Sequence, residues 1–313
     1  LIGGALADPA GQYPRMFKGV KFFEDYPYAL SSIVVGAVGL TAVVTSAFFI
    51  EETLHKENKH DNETGSSTPR PHPSSTWELL KAPGVGIVLY NYGHVMLLAF
   101  AYTAIVPVFW ATRVDLGGFG FAPLQISLFM GLSGLSQAVW LLVVFPPLQH
   151  RFGTNGVLRL CGAAYPFFMS VMPPLNFILR QHTPQTRTAF FVVAPILLSI
   201  GPGVSMAFTA VQLALNDVSP SHEVLGMLNA LALTLTSGLR SFSPALFASL
   251  FAVGVGNQFF FGYFIWVIMV VLALGFTIST RFLPEASEKQ RESGNEDEDD
   301  HEDEDEENAA VSG

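Results

Sequence analysis

Few side chains in this 313-residue chain could do chemistry, and most of them stand inside long apolar runs. Tyr90, Asn91, Tyr92 and His94 are crowded together, and their i, i+3 spacing would put Asn91 and His94 on one helical face. His94 is the one histidine within such a run. Its ordinary pKa of about 6.5 suits it to exchanging a proton in the physiological range, although a lone helical histidine serves equally as a hydrogen-bonded packing residue. Arg240 sits near the middle of another run, in the stretch Thr234-Leu235-Thr236-Ser237-Gly238-Leu239-Arg240-Ser241-Phe242-Ser243-Pro244. An arginine at the centre of a membrane span costs about 2.5 kcal/mol or more to insert, so it must face a polar cavity or a partner. A clamp onto backbone carbonyls beside Pro244 would meet the same need. Gln137, Gln212 and Asn229 complete the polar set. They can line a path for a solute or tie helices together, the second being the commoner use in membranes.

Other chemistries lack their residues. No Asp or Glu lies in the central part of any apolar run, so the side chain most often used to carry a proton across a bilayer is missing there. The chain has no phosphate-binding glycine loop and no Gly-x-Ser-x-Gly nucleophile motif, and Cys161 is the single cysteine. His55, His60 and His72 are irregularly spaced among lysines and prolines, without the spacing of metal ligands. We therefore expect no enzyme, no catalytic residue, no cofactor, no metal and no nucleic-acid partner.

The elements that must position the polar residues are seven apolar runs, at about 26–50, 85–112, 123–147, 156–179, 188–215, 224–253 and 258–282. Each has about 20 residues or more, enough for a helix to cross a hydrocarbon core of about 30 Å. Half the residues are hydrophobic and only 13% are charged, unlike a soluble domain. A lipid environment forces the backbone to satisfy itself, and the runs do not alternate as strands would, so the expected fold is an all-α membrane bundle of seven transmembrane helices. Pro166, Pro173, Pro174, Pro195 and Gly201-Pro202-Gly203 should bend or break several of them.

The expected organisation is a helix end and extracytoplasmic loop over 1–25, a single span at 26–50, a linker at 51–84, a six-helix unit at 85–283 and a tail at 284–313. Fourteen of the 26 acids follow Pro284, against Lys289 and Arg291, so the tail carries −12 of the net −10 and the remainder is +2. Such a tail repels itself and should be solvated. With the start of the chain outside, nine basic residues fall on the cytoplasmic side and six opposite, which favours a cytoplasmic linker and tail.

Three stretches together resemble the major facilitator superfamily, in its twelve-span drug:proton antiporter branch with the zinc-induced-facilitator-like and fungal multidrug-resistance proteins. Leu1-Ile2-Gly3-Gly4-Ala5-Leu6-Ala7-Asp8-Pro9 is similar to the end of the Gly-Pro-x-x-Gly-Gly signature of the fifth helix. Phe145-Pro146-Pro147-Leu148-Gln149-His150-Arg151-Phe152-Gly153 resembles the degenerate loop motif of the C-terminal half, with Arg151 and Gly153 at its conspicuous positions. Gly226-x-x-Asn229, Arg240 and Ser243-Pro244 resemble the eleventh helix. The resemblance implies that the seven runs are the sixth helix and the complete C-terminal half. Five earlier helices and most proton-handling carboxylates would then lie upstream of Leu1, as the chain's missing partners.

It further implies proton-coupled export of small organic molecules by alternating access. Substrate or protons would pass Asn91, His94, Gln137, Asn229 and Arg240, and Gly3, Gly4, Arg151, Gly153 and Pro244 would serve the conformational change. The bilayer, a small-molecule substrate and protons are the expected partners, in the plasma or vacuolar membrane. Two rival readings are a heptahelical receptor and an inactive membrane fragment. The receptor would have to lack Asp-Arg-Tyr at a span end, Asn-Pro-x-x-Tyr in the last span and an extracellular disulfide.

Overall fold

The computed structural model describes residues 6–17, 19–49, 80, 82–219 and 222–283. Gly3 and Gly4, nearly all of the 51–84 linker and the 284–313 tail lie outside the described residues. Every regular element described is helical. Three short helices, α1 (Pro9–Gln12), α2 (Pro14–Phe17) and α3 (Lys21–Asp25), precede α4 (Ala29–Phe49). Then come α5 (Val85–Ala111), α6 (Pro123–Val139), α7 (Phe145–Ser170), α8 (Met172–Arg180), α9 (Pro184–Ile200), α10 (Met206–Asp217), α11 (His222–Gly256) and α12 (Phe264–Ser279).

Among the described residues six helical stretches are long and apolar enough to cross a membrane, and the longest runs 58 residues from Pro123 to Arg180. Straight, it would measure about 87 Å, far more than a bilayer. It is not straight. Gly153 has φ 68° and ψ 169°, a backbone shape that stops a helix and that side chains disfavour. The Trp140 ring packs on Gly203, whose carbonyl lies 4.0 Å from Cys161 Sγ. On one straight helix Trp140 and Cys161 would be about 31 Å apart. The chain therefore turns back at Gly153, and the 58 residues make two crossings, which brings the count to seven.

The last crossing begins at Phe264 rather than near 258. Gln258, Phe260 and Phe261 have φ of 52°, 50° and 60°, so this apolar stretch is a turn with its rings splayed outward. Pattern alone does not separate it from the helix that follows.

Lipid tails are as apolar as leucine, so helices associate through close packing and hydrogen bonds rather than through escape from water. In this bundle α5 packs against α10, α11 and α12, α7 against α10 and α12, and α6 against α9. Phe109, Trp110, Phe190, Trp266 and Phe276 are buried at the centre. Phe109 sets its ring edge-on at 5.0 Å from both Phe119 and Trp266. By contrast α4 is exposed along its length, with Ile33, Val38, Leu40, Val43 and Phe48 outward, as suits a helix apolar on every side.

The two ends of the bundle are closed differently. At one end the connections 112–122, 181–183 and 257–263 meet. Buried Asn176 donates to the carbonyls of Val114 (3.1 Å) and Gly118, and its Oδ1 accepts from the Tyr263 hydroxyl at 2.6 Å. Arg180 donates to the carbonyls of Val114 (3.3 Å), Asp115 (3.2 Å) and Phe261 (2.8 Å), with its guanidinium 5.3 Å from the Tyr263 ring centroid. Gly117 and Gly262, at φ 110° and 88°, let these two connections touch backbone to backbone. At the opposite end Arg159 donates to the carbonyls of Thr280 (3.4 Å) and Leu283 (3.5 Å), placing a cation at the negative end of α12.

Candidate functional site

The helix that follows Pro184 does not cross unbroken. Pro195 and Pro202 cannot donate, and at Gly201–Ser205 the chain tightens into a 3-10 segment before α10 resumes. Beside this break lies a cavity of about 270 Å³, walled by α5, α6, α7 and the 3-10 segment. Its floor is apolar and aromatic, from Leu98, Val106, Met130, Phe168 and Val204, with Tyr102 and Phe168 in contact at 5.1 Å between centroids. The lining residues with polar side chains are Tyr102, Thr103, Trp110, Ser133, Gln137, Tyr165 and Ser205. Two of their polar atoms, Trp110 Nε1 and Ser133 Oγ, are buried in the wall without a hydrogen-bond partner. Apolar walls with a few polar groups set at membrane depth can bind and orient a small molecule.

Of the residues singled out in the sequence, Gln137 lines this cavity and is exposed to it. Asn91 does not. Its side chain is fully buried between helices, donating to Ile87 O (2.8 Å) and accepting from Ser279 Oγ (2.8 Å). His94 is half-buried and faces the same helix, with Nε2 2.9 Å from Leu272 O and its ring against Tyr90 and Phe276. The shared face expected from their spacing is thus real, and it is turned toward α12. Asn229 Oδ1 accepts from Gln212 Nε2 at 2.9 Å, joining α10 to α11.

Arg240 is exposed at the middle of α11, with its guanidinium carbon 5.9 Å from the centroid of the Phe100 ring on α5. The structure shows no clamp onto the carbonyls beside Pro244, which lies inside the same helix with the side chain of Ser243 buried before it. Arg151 is exposed at the turn and stands 5.9 Å over the neighbouring Phe152 ring, while Gly153 makes the turn itself. Gly3 and Gly4 fall outside the described residues. Among the described residues no three His, Cys, Asp or Glu side chains are grouped to hold a metal ion.

Tyr102, Trp110, Ser133 and Tyr165 were not expected at the site. In the sequence the aromatic three read as core. The one available signal was the i, i+4 spacing of Ser133 and Gln137, which turns both toward one side of α6.

Comparison with known proteins supplies relatives. The chain is 41% identical over 294 residues to "Efflux pump azaK" of Aspergillus niger, covering 92% of this chain and 58% of that protein. It is 24% identical to the "Major facilitator superfamily multidrug transporter mfsB" of Aspergillus fumigatus over 95% of this chain and 61% of that protein. It is also 24% identical to "Protein ZINC INDUCED FACILITATOR-LIKE 1" of Arabidopsis thaliana, over 93% and 62% respectively. The chain thus spans roughly three fifths of the length of these relatives. No protein-family model matches it, and no solved structure does.

Proposed function

This chain belongs to the major facilitator superfamily, and on that premise we propose that it is the substrate-binding C-terminal part of a proton-coupled exporter of small organic molecules. The observation that carries the proposal is the cavity beside the 3-10 break: apolar walls with Gln137, Ser133, Trp110 and two tyrosines at membrane depth. A broken membrane helix beside a polar-dotted cavity is a recurrent way of building a site between rocking halves. In this reading Gln137 and Arg240 serve the solute. Asn91, His94 and Asn229, each bonded to a neighbouring helix, keep the half rigid as it moves. Arg151 and Gly153 shape the turn on the cytoplasmic side. Residues 51–84 and 284–313 form the cytoplasmic linker and tail, in the plasma membrane or the vacuolar membrane.

The test uses the full-length protein in proteoliposomes loaded with fluorescent dyes. An imposed proton gradient is expected to drive dye movement, and a protonophore to abolish it. Dye movement indifferent to a collapsed gradient would sink the coupling, and no movement of any dye would sink export.

A further inference from the structure

We propose that the exported molecules carry an acid group that is received as an anion by Arg240, while their apolar body occupies the adjoining cavity. This rests on the exporter reading above and narrows it to a class of substrate.

Arg240 lies roughly midway along α11, so it stands at membrane depth. Among the described residues its guanidinium makes neither a hydrogen bond nor an ion pair, and its interaction is with the face of Phe100. A guanidinium offers five N–H donors and does not lose its charge. A ring face eases the charge but accepts none of those protons in line. In the described crossings acids occur only at helix ends, at Asp217 and Glu223. Glu223 stands roughly 25 Å from Arg240 along the helix axis. Among the described residues no carboxylate forms an ion pair with it.

The placement of Arg240 ties this charge to the cavity. Phe100 follows Ala99 in α5 and precedes Thr103 by three residues, and Ala99 and Thr103 both line the cavity. The ring that Arg240 covers is thus the direct chain neighbour of a residue in the cavity wall. In the cavity wall the buried Trp110 Nε1–H has no partner, and an indole N–H can be satisfied only by an acceptor. Both groups call for a ligand rich in acceptors. A cation would be repelled in a medium where charges are poorly screened, and a neutral molecule would leave the arginine unpaired. A carboxylate takes two guanidinium N–H bonds in parallel.

The experiment compares fluorescein, an anionic xanthene, with rhodamine 123, a cationic one, in proteoliposomes of the full-length protein and its Arg240→Gln and Arg240→Lys variants. Wild-type protein is expected to move fluorescein at least tenfold faster than rhodamine 123. Arg240→Gln should lower the fluorescein-to-rhodamine ratio tenfold or more, and Arg240→Lys should keep part of it. If the glutamine variant is poorly expressed, the wild-type preference and the lysine ratio carry the same test. Rhodamine 123 moved as fast as fluorescein or faster by the wild type overturns this inference alone and leaves export standing. A glutamine variant that slows both dyes equally overturns it too, showing an arginine that serves the protein rather than the solute. Movement of neither dye overturns both proposals.

Discussion

The Tyr263 hydroxyl donates to Asn176 Oδ1 at 2.6 Å, across 87 residues of sequence, and so ties the connection before the last crossing to the end of α8. Among the described residues the Tyr263 hydroxyl is the one donor to that oxygen, while the Asn176 amide nitrogen is bonded to Val114 and Gly118. Tyr263→Phe should therefore cost about 1–2 kcal/mol, the penalty of a buried acceptor left without a partner. Thermal unfolding of the purified protein measures it. A melting temperature equal to wild type would show that the oxygen finds a partner elsewhere.

The same pair makes an alkaline prediction. Burial raises the Tyr263 phenol above its ordinary value of 10.0, with the Arg180 charge acting in the opposite direction. A folded value above the unfolded one means that the folded state holds the proton more tightly. The stabilisation is complete below about pH 10 and is lost as pH climbs through the folded value. Unfolding followed from pH 8 upward should show a decline that is shallower in Tyr263→Phe, and identical slopes would refute the assignment.

At the turn within the 123–180 stretch, Gly153→Ala should cost about 1–3 kcal/mol for backbone strain alone, because a Cβ there meets no atom within 4 Å. Gly238→Ala is the matched control. Gly238 is helical and equally open, so alanine there should be neutral or stabilising by up to about 1 kcal/mol. Equal yields and melting temperatures for the two variants would remove the conformational reading of Gly153.

Two tryptophans separate cavity from scaffold. Trp140 Nε1 donates to Ser199 O at 3.0 Å, whereas Trp110 Nε1 has no partner. Trp140→Phe should lose about 1 kcal/mol with its bond, and Trp110→Phe should lose no hydrogen bond, its cost being the packing of the smaller ring. Transport should order the other way, with Trp110→Phe the slower of the two. A Trp110→Phe protein that transports as fast as wild type would take the indole N–H out of the solute's path.

Asn91 and Ser279 are joined across α5 and α12. A double-mutant cycle with Asn91→Leu and Ser279→Ala should give a coupling of about 0.6 kcal/mol and no more than about 1.7, the range for such bonds inside membranes. Additive losses would assign both residues to packing alone.

Much of this architecture is legible in the chain, because a run of about 20 apolar residues has one stable form in lipid. The shared face of Asn91 and His94 is legible too, since i, i+3 spacing is a property of the helix and not of its surroundings. Their destination is not. Nothing local to Asn91 says that its partner is Ser279, 188 positions away, or that Gln212 is held by Asn229 rather than by a solute. The cavity was hidden for a related reason: Tyr102, Trp110 and Tyr165 have the composition of core, and only the break at Gly201–Ser205 opens space beside them. Gln258 to Phe261 read as the start of a span because left-handed backbone leaves no mark on hydrophobicity.

Arg180 and its acceptor at Phe261 are 81 residues apart. At about 5–20 residues per second, a ribosome needs roughly 4–16 s to deliver that acceptor after Arg180 has been made. During that interval α9, α10 and α11 must enter the membrane while three loops wait unstitched. The bond from Arg180 can close only when the connection to the last crossing arrives, so it marks the moment at which every crossing but the last has been made. A chain halted before Phe261 would leave that arginine held only by Val114 and Asp115, without its farthest anchor.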